Sequence, residues 1–145
     1  MMDAGKVMVA IRDMEHVDDL VKLACLIAKG TGGEIMALHV IEVPPALPLD
    51  ARDEALDRPA GRIISRASKI AEETLGKRIS TRVVRSRHAG EAIVDEAKSQ
   101  GAQLVILGYR HRTGLGEILF GSTVQYLADS APCRVIVNIA PARKE

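Results

Sequence analysis

Short apolar runs of strand length alternate with segments of helical periodicity along almost the whole chain, and this order constrains the fold more than any other feature. The runs predicted as strands are 7–11, 35–41, 79–84, 104–107 and 134–139. The fourth run is apolar throughout, as is typical of a strand buried on both faces of a parallel sheet. Strands that alternate with helices predict an α/β fold. It is a three-layer sandwich in which a five-stranded parallel sheet with right-handed crossovers carries helices on both faces.

Four helices are predicted between these strands. Segments 16–29 and 59–75 carry apolar side chains at helical spacing and are followed by glycines, and a third helix runs from Gly90 to its closing Gly101. The fourth opens at Gly121-Ser122-Thr123, where a serine or threonine is expected at the N-cap. Residues 43–58 contain three prolines and then a charged stretch. They are predicted as the one long irregular connection, of a length that is usually functional or mobile.

The composition limits the class of function. With 145 residues, 47% of them hydrophobic, the chain has room for one domain, 1–145, around a proper core. A net charge of +1 and 2% aromatic residues supply neither a basic field nor a stacking platform, so nucleic-acid binding is not expected. No apolar stretch approaches membrane-spanning length, so we expect no direct membrane insertion and a cytoplasmic location.

The sequence contains no motif of a dedicated catalytic or metal centre. It has neither a P-loop nor a Gly-x-Ser-x-Gly elbow, and its four histidines fall on different predicted elements without zinc-ligand spacing. Cys25 and Cys133 are interpreted as small core residues. Asp13 and Glu15, at the end of the first strand, are either solvated or able to hold a magnesium-phosphate complex. We therefore predict no catalytic residue and no metal site.

The stretch from Gly108 to Ser122 has the order of a phosphate-binding site. A buried strand ends at Gly108, a long loop follows, and Gly121-Ser122-Thr123 opens a helix. A helix N-terminus leaves backbone N–H groups unpaired and carries partial positive charge, and glycines let an anion approach the backbone closely. The hydroxyls of Ser122 and Thr123 would add donors to the same phosphate. Because ligands of such sheets lie beyond the carboxyl ends of the strands, Arg12 is expected opposite this loop.

The chain resembles the universal stress protein family over nearly its whole length. The segments VMVAI at 7–11, ALHVIE at 37–42 and APCRVIV at 131–137 are similar to the family's first, second and last strands. The family's nucleotide signature is a glycine, two residues, a second glycine, nine residues, and then a glycine followed by serine or threonine. Gly108 matches its first glycine and Gly121-Ser122 match its end, with the spacing intact.

This resemblance implies a Rossmann-like, flavodoxin-like sheet of strand order 3-2-1-4-5. It also implies a regulatory protein that binds ATP or a related adenine nucleotide in a stress response, with or without Mg2+. The Val40 backbone would meet the adenine edge, and Gly108, Gly121, Ser122 and Thr123 would meet the phosphates. A homodimer is expected through strand 134–139, since an apolar edge strand invites pairing with its twin.

Two positions depart from the family pattern. His111 stands at the second glycine, and Arg12 stands where ATP-binding members carry an aspartate. A side chain forced to positive φ costs about 1–2 kcal/mol and would crowd a phosphate. Arg110, His111 and Arg112 can instead donate charge-assisted hydrogen bonds to phosphate oxygens. For Arg12, two interpretations stay open: a phosphate or carboxylate contact, or a salt bridge with Asp13 or another nearby acid.

Two alternative functions follow from these departures. One is a nucleotide-free interaction module, closed by His111, that acts through an unknown protein partner. The segment EVPP at 42–45 and the Tyr109-Arg110 pair resemble family variants attached to transporters, which favours a regulatory partner of that kind. The other alternative is a weak ATP hydrolase, for which the sequence offers no dedicated machinery.

Overall fold

The predicted alternation of strands and helices is found in the computed structural model of the protein, which describes residues 5–110 and 121–141. The strands are β1 (Lys6–Ala10), β2 (Glu34–Glu42), β3 (Ser80–Ser86), β4 (Ala102–Arg110) and β5 (Arg134–Ala140). The helices are α1 (Val17–Thr31), α2 (Glu54–Leu75), α3 (Ala89–Gln100) and α4 (Ser122–Ser130), and a 3-10 turn at Met14–His16 leads into α1. The strands form one parallel sheet of order β3-β2-β1-β4-β5, which confirms the predicted fold.

The central strand β1 is buried on both faces, which explains its continuous apolar run. Val7 and Val9 face a core formed with α1 and α2, whereas Met8 and Ala10 face a second core formed with α3 and α4. Val9 pairs with Ala37 on one side and with Ile106 on the other. The helices therefore cover both faces. The strand order reverses at β1, because β2 and β3 are added on one side of it and β4 and β5 on the other.

Helix α2 begins earlier than the sequence predicts, so the prediction that the irregular connection extends to residue 58 is wrong. Asp53 caps the helix by accepting a hydrogen bond from the Ala55 N–H at 2.9 Å. Asp57, in the first turn, forms an ion pair with Arg85 of β3. These contacts hold the turns that precede Pro59, which lies inside the helix although it cannot donate a backbone hydrogen bond.

The helix ends follow the predicted glycines. Gly32, Gly76 and Gly101 adopt left-handed conformations at the C-caps of α1, α2 and α3, a conformation that glycine adopts at low cost. At the start of α4 the predicted serine or threonine cap is wrong, because Gly121 is the N-cap and Ser122 is the first helical residue.

Both cysteines are free, and Cys25 is fully buried whereas Cys133 is half-buried. Burial raises the pKa of both thiols. Within residues 5–110 and 121–141, no helix has the length and apolar character needed to cross a membrane.

Candidate functional site

A cavity of about 630 Å³ opens at the carboxyl ends of β1, β2 and β4, at the point where the strand order of the sheet reverses. The first turns of α1, α3 and α4 complete its walls. Six of the eight predicted site residues line it, namely Arg12, Val40, Gly108, Gly121, Ser122 and Thr123. This is the position at which parallel α/β sheets bind ligands, because the loops on either side of the reversal diverge there. Residues far apart in the sequence are thus brought to one concave surface.

Of the other two predicted residues, the structure describes only the backbone of Arg110. Arg110 is the last residue of β4, and its side chain lies outside the described residues. His111 also lies outside them. The proposed contacts of both side chains with phosphate stay predictions.

The α4 wall presents the start of a helix to the cavity. Gly121 is extended, with φ −71° and ψ 177°, and as the N-cap it has no side chain that could cap the helix. The first N–H groups of a helix have no partner within it, and the helix dipole adds partial positive charge at the same end. Ser122 and Thr123 follow in the first turn and both line the cavity. This wall therefore offers backbone donors and two hydroxyls to an anion.

The β1 wall carries the exposed side chain of Arg12. Of the two interpretations left open by the sequence, the salt bridge with Asp13 is not found. Among residues 5–110 and 121–141, Arg12 forms no ion pair, and Asp13 instead contacts His16. The guanidinium therefore adds a positive charge to the mouth of the cavity.

His16 is a site residue that the sequence interpretation missed. Its Nδ1 lies 2.5 Å from Asp13 Oδ1 and 3.9 Å from Glu15 Oε1, and the residue is 8% exposed. The ring lines the cavity, while its buried Nε2 has no hydrogen-bond partner in the described part of the chain. The Asp13-x-x-His16 spacing, which places the two side chains one turn apart, is the signal that could have indicated this pair.

Gly108 is the residue of β4 against which His16 packs. A β-carbon on Gly108 would lie 3.0 Å from His16 Cδ2 and 3.2 Å from Leu20 Cδ1. Contacts of this length are tighter than ordinary van der Waals separations. Close packing beneath the cavity therefore favours a glycine here, in addition to any approach of a ligand.

The β2 wall of the cavity is more apolar than the α4 and β1 walls. Val40 is half-buried and lines the cavity, and Glu42 is exposed at the end of the same strand. His39 is buried, and its Nδ1 lies 2.7 Å from the carbonyl oxygen of Ile11. His39 is therefore a buried residue of β2 whose ring contacts the backbone at the end of β1.

The model of the universal stress protein family matches residues 4–138 of this chain. The chain is 32% identical to universal stress protein MJ0531 of Methanocaldococcus jannaschii, in a match that covers 85% of this chain and 75% of that protein. Its fold is similar to that of a universal stress protein from Archaeoglobus fulgidus solved with dAMP, with TM-score 0.72, 18% identity and coverage of 94% and 98%. It is also similar to a universal stress protein solved with cAMP, with TM-score 0.64, 20% identity and coverage of 94% and 97%.

Proposed function

The chain belongs to the universal stress protein family, and from this premise we propose that it is a regulatory protein of a stress response that binds ATP or a related adenine nucleotide. The observation that carries the proposal is the convergence of Arg12, Val40, Gly108 and the start of α4 on one cavity. Two structural neighbours were solved with adenine nucleotides, dAMP in one and cAMP in the other. The volume of about 630 Å³ lies within the range usual for small-molecule sites.

The chemistry of the walls orients the ligand. An adenine ring fits the apolar side at Val40, where backbone groups at the end of β2 can pair with the edge of the base. The phosphates fit the opposite end, at Gly121, Ser122 and Thr123, where helix N–H groups and hydroxyls are donors. Arg12 adds a charge-assisted donor at the cavity mouth. The nucleotide would thus span the sheet from β2 to α4.

Titration calorimetry with ATP tests the proposal. Binding by the unaltered protein supports it, and Ser122→Ala together with Thr123→Ala should weaken binding by about a hundredfold, because two hydroxyl donors are lost. Ser99→Ala, an exposed serine outside the cavity lining, is the matched control. No heat and no thermal shift at millimolar ATP would refute nucleotide binding. The titration is repeated with Mg2+ because the carboxylates of Asp13 and Glu15 adjoin the cavity wall.

A nucleotide-free interaction module is the second candidate, and it is favoured by the replacement of the family's aspartate with Arg12. The two candidates differ in one measurement. If the module is correct, the unaltered protein does not bind ATP. If Arg12→Asp or His111→Gly creates binding that the unaltered protein lacks, the altered residue is what closes the site.

We also propose that the protein is a homodimer paired through β5. β5 lies at one edge of the sheet, where its outer backbone groups have no neighbouring strand in the described chain. Val135 and Val137 are half-buried, and Ile139 on the same face is 41% exposed. Apolar edge strands of this kind pair with one another. Light scattering after size exclusion should give twice the monomer mass, and a monomer at micromolar concentration would contradict the proposal.

A further inference from the structure

We propose that His16, held by Asp13, accepts a hydrogen bond from a ribose hydroxyl of the bound nucleotide and so makes the site discriminate against a nucleotide that lacks that hydroxyl. This inference rests on the proposed function. The observations that carry it are the contact between His16 and Asp13, the unpaired Nε2 and the place of the ring in the cavity wall.

The contact with Asp13 determines which ring nitrogen carries the proton. An ionised carboxylate has only acceptor oxygens, so the short contact of 2.5 Å requires that Nδ1 be the donor. In the neutral ring, Nε2 then carries the lone pair and can only accept. Glu15, whose Oε1 lies 3.9 Å from Nδ1, acts on the same side of the ring and favours the same tautomer.

The burial of Nε2 is not offset by a hydrogen bond within the described structure. This nitrogen is buried, yet no group among residues 5–110 and 121–141 donates to it. A buried acceptor without a donor is destabilising, and a hydrogen-bond donor on the ligand would remove that cost. The ring cannot turn away easily, because its Cδ2 packs over Gly108 and its Nδ1 is held by Asp13. A donor supplied by the occupant of the cavity would satisfy it.

The position of His16 selects among the donors of an adenine nucleotide. The ring packs over β4, whereas Val40 lies on β2, and β1 separates these two strands. Strands are about 4.8 Å apart, so an adenine amino group at Val40 would be roughly two strand spacings from His16. Phosphate oxygens at neutral pH are acceptors, which an unprotonated Nε2 cannot bind. The sugar, which joins the base to the phosphates, supplies hydroxyl donors between the two ends.

The test compares ATP, 2′-deoxy-ATP and 3′-deoxy-ATP by titration calorimetry on the full chain. The unaltered protein should bind at least one deoxy analogue about tenfold more weakly than ATP, the loss expected for one hydrogen bond. His16→Phe keeps an aromatic ring over Gly108 but removes the acceptor, so the ATP-to-deoxy affinity ratio should fall to about one. His16→Gln, which can return an acceptor near the Nε2 position, should restore part of the ratio. His88→Phe replaces an exposed histidine outside the cavity lining and is the control.

The following outcomes would overturn the inference. Equal binding of ATP and both deoxy analogues by the unaltered protein would overturn it while leaving the proposed function intact. A ratio that persists in a folded His16→Phe variant would also overturn it. If His16→Phe weakens all phosphate-bearing ligands without changing the ratio, His16 acts as a cation on phosphate and the hydroxyl contact is wrong. Absence of ATP binding by every variant and by the unaltered protein would overturn both proposals together.

Discussion

Replacing Gly108 with alanine tests the packing beneath the cavity. The added β-carbon would lie 3.0 Å from His16 Cδ2 and 3.2 Å from Leu20 Cδ1. Leu20 is fully buried and His16 is held by Asp13, so neither neighbour can move without cost. Overpacking of this kind costs about 1–3 kcal/mol, and the smaller entropy of the unfolded alanine chain offsets about 0.4–1 kcal/mol. A net loss of about 1–2 kcal/mol follows, which lowers Tm by about 2–8 °C in a domain of this size.

Thermal and urea unfolding measure this loss, and Gly61→Ala is the matched control. Gly61 lies inside α2, and no atom comes within 4 Å of the β-carbon that would be added there. The same chemical change should therefore stabilise the protein by about 0.5–1 kcal/mol at that position. If Gly108→Ala is as stable as the unaltered protein while Gly61→Ala behaves as expected, the described packing of His16 on β4 is wrong.

Three further predictions concern the scaffold. Gly33→Ala would place a β-carbon 2.5 Å from the carbonyl oxygen of Gly5, so chemical denaturation should show a loss of about 1–3 kcal/mol; an unchanged midpoint would contradict that contact. A hydrogen bond from Arg66 lowers the pKa of Asp18. The pair therefore stabilises the fold at pH values above the ordinary carboxyl pKa near 4, and this stabilisation is lost as the pH falls through the lowered pKa. Asp18→Asn should therefore lower Tm slightly at pH 7 and not at pH 2, and a Tm difference independent of pH would count against the pair. Cys25 is fully buried with a raised pKa, so mass spectrometry should find it alkylated by iodoacetamide only after unfolding, and equal rates in folded and unfolded protein would refute its burial.

The sheet was predictable from the sequence because its central strands β1 and β4 contain runs of consecutive apolar residues. β1 and β4 are buried on both faces, and the glycines after α1, α2 and α3 mark the helix ends. The start of α2 was not predictable in the same way. Its first turns depend on the cap by Asp53 and on the ion pair of Asp57 with Arg85, a residue brought near only by the folded sheet.

The site residues likewise include some that local sequence predicts and others that only the folded chain reveals. Gly108, Gly121 and Ser122 could be identified because their spacing is a local signature. The spacing of Asp13 and His16 could indicate their contact, but not the packing of the ring against Gly108 of β4 or the burial of Nε2, which only the folded chain reveals. The N-cap of α4 was also misassigned, since Ser122 and Thr123 both have the side chains of good caps but Gly121 takes the extended conformation instead.

The most direct test of adenine-nucleotide binding in this cavity is a crystal structure of the protein grown with ATP. The proposal predicts difference density for a nucleotide whose base contacts the backbone at Val40 and whose phosphates lie at the α4 N-terminus beside Gly121 and Ser122. A cavity without nucleotide density at millimolar ATP, or a nucleotide bound elsewhere on the molecule, would contradict it.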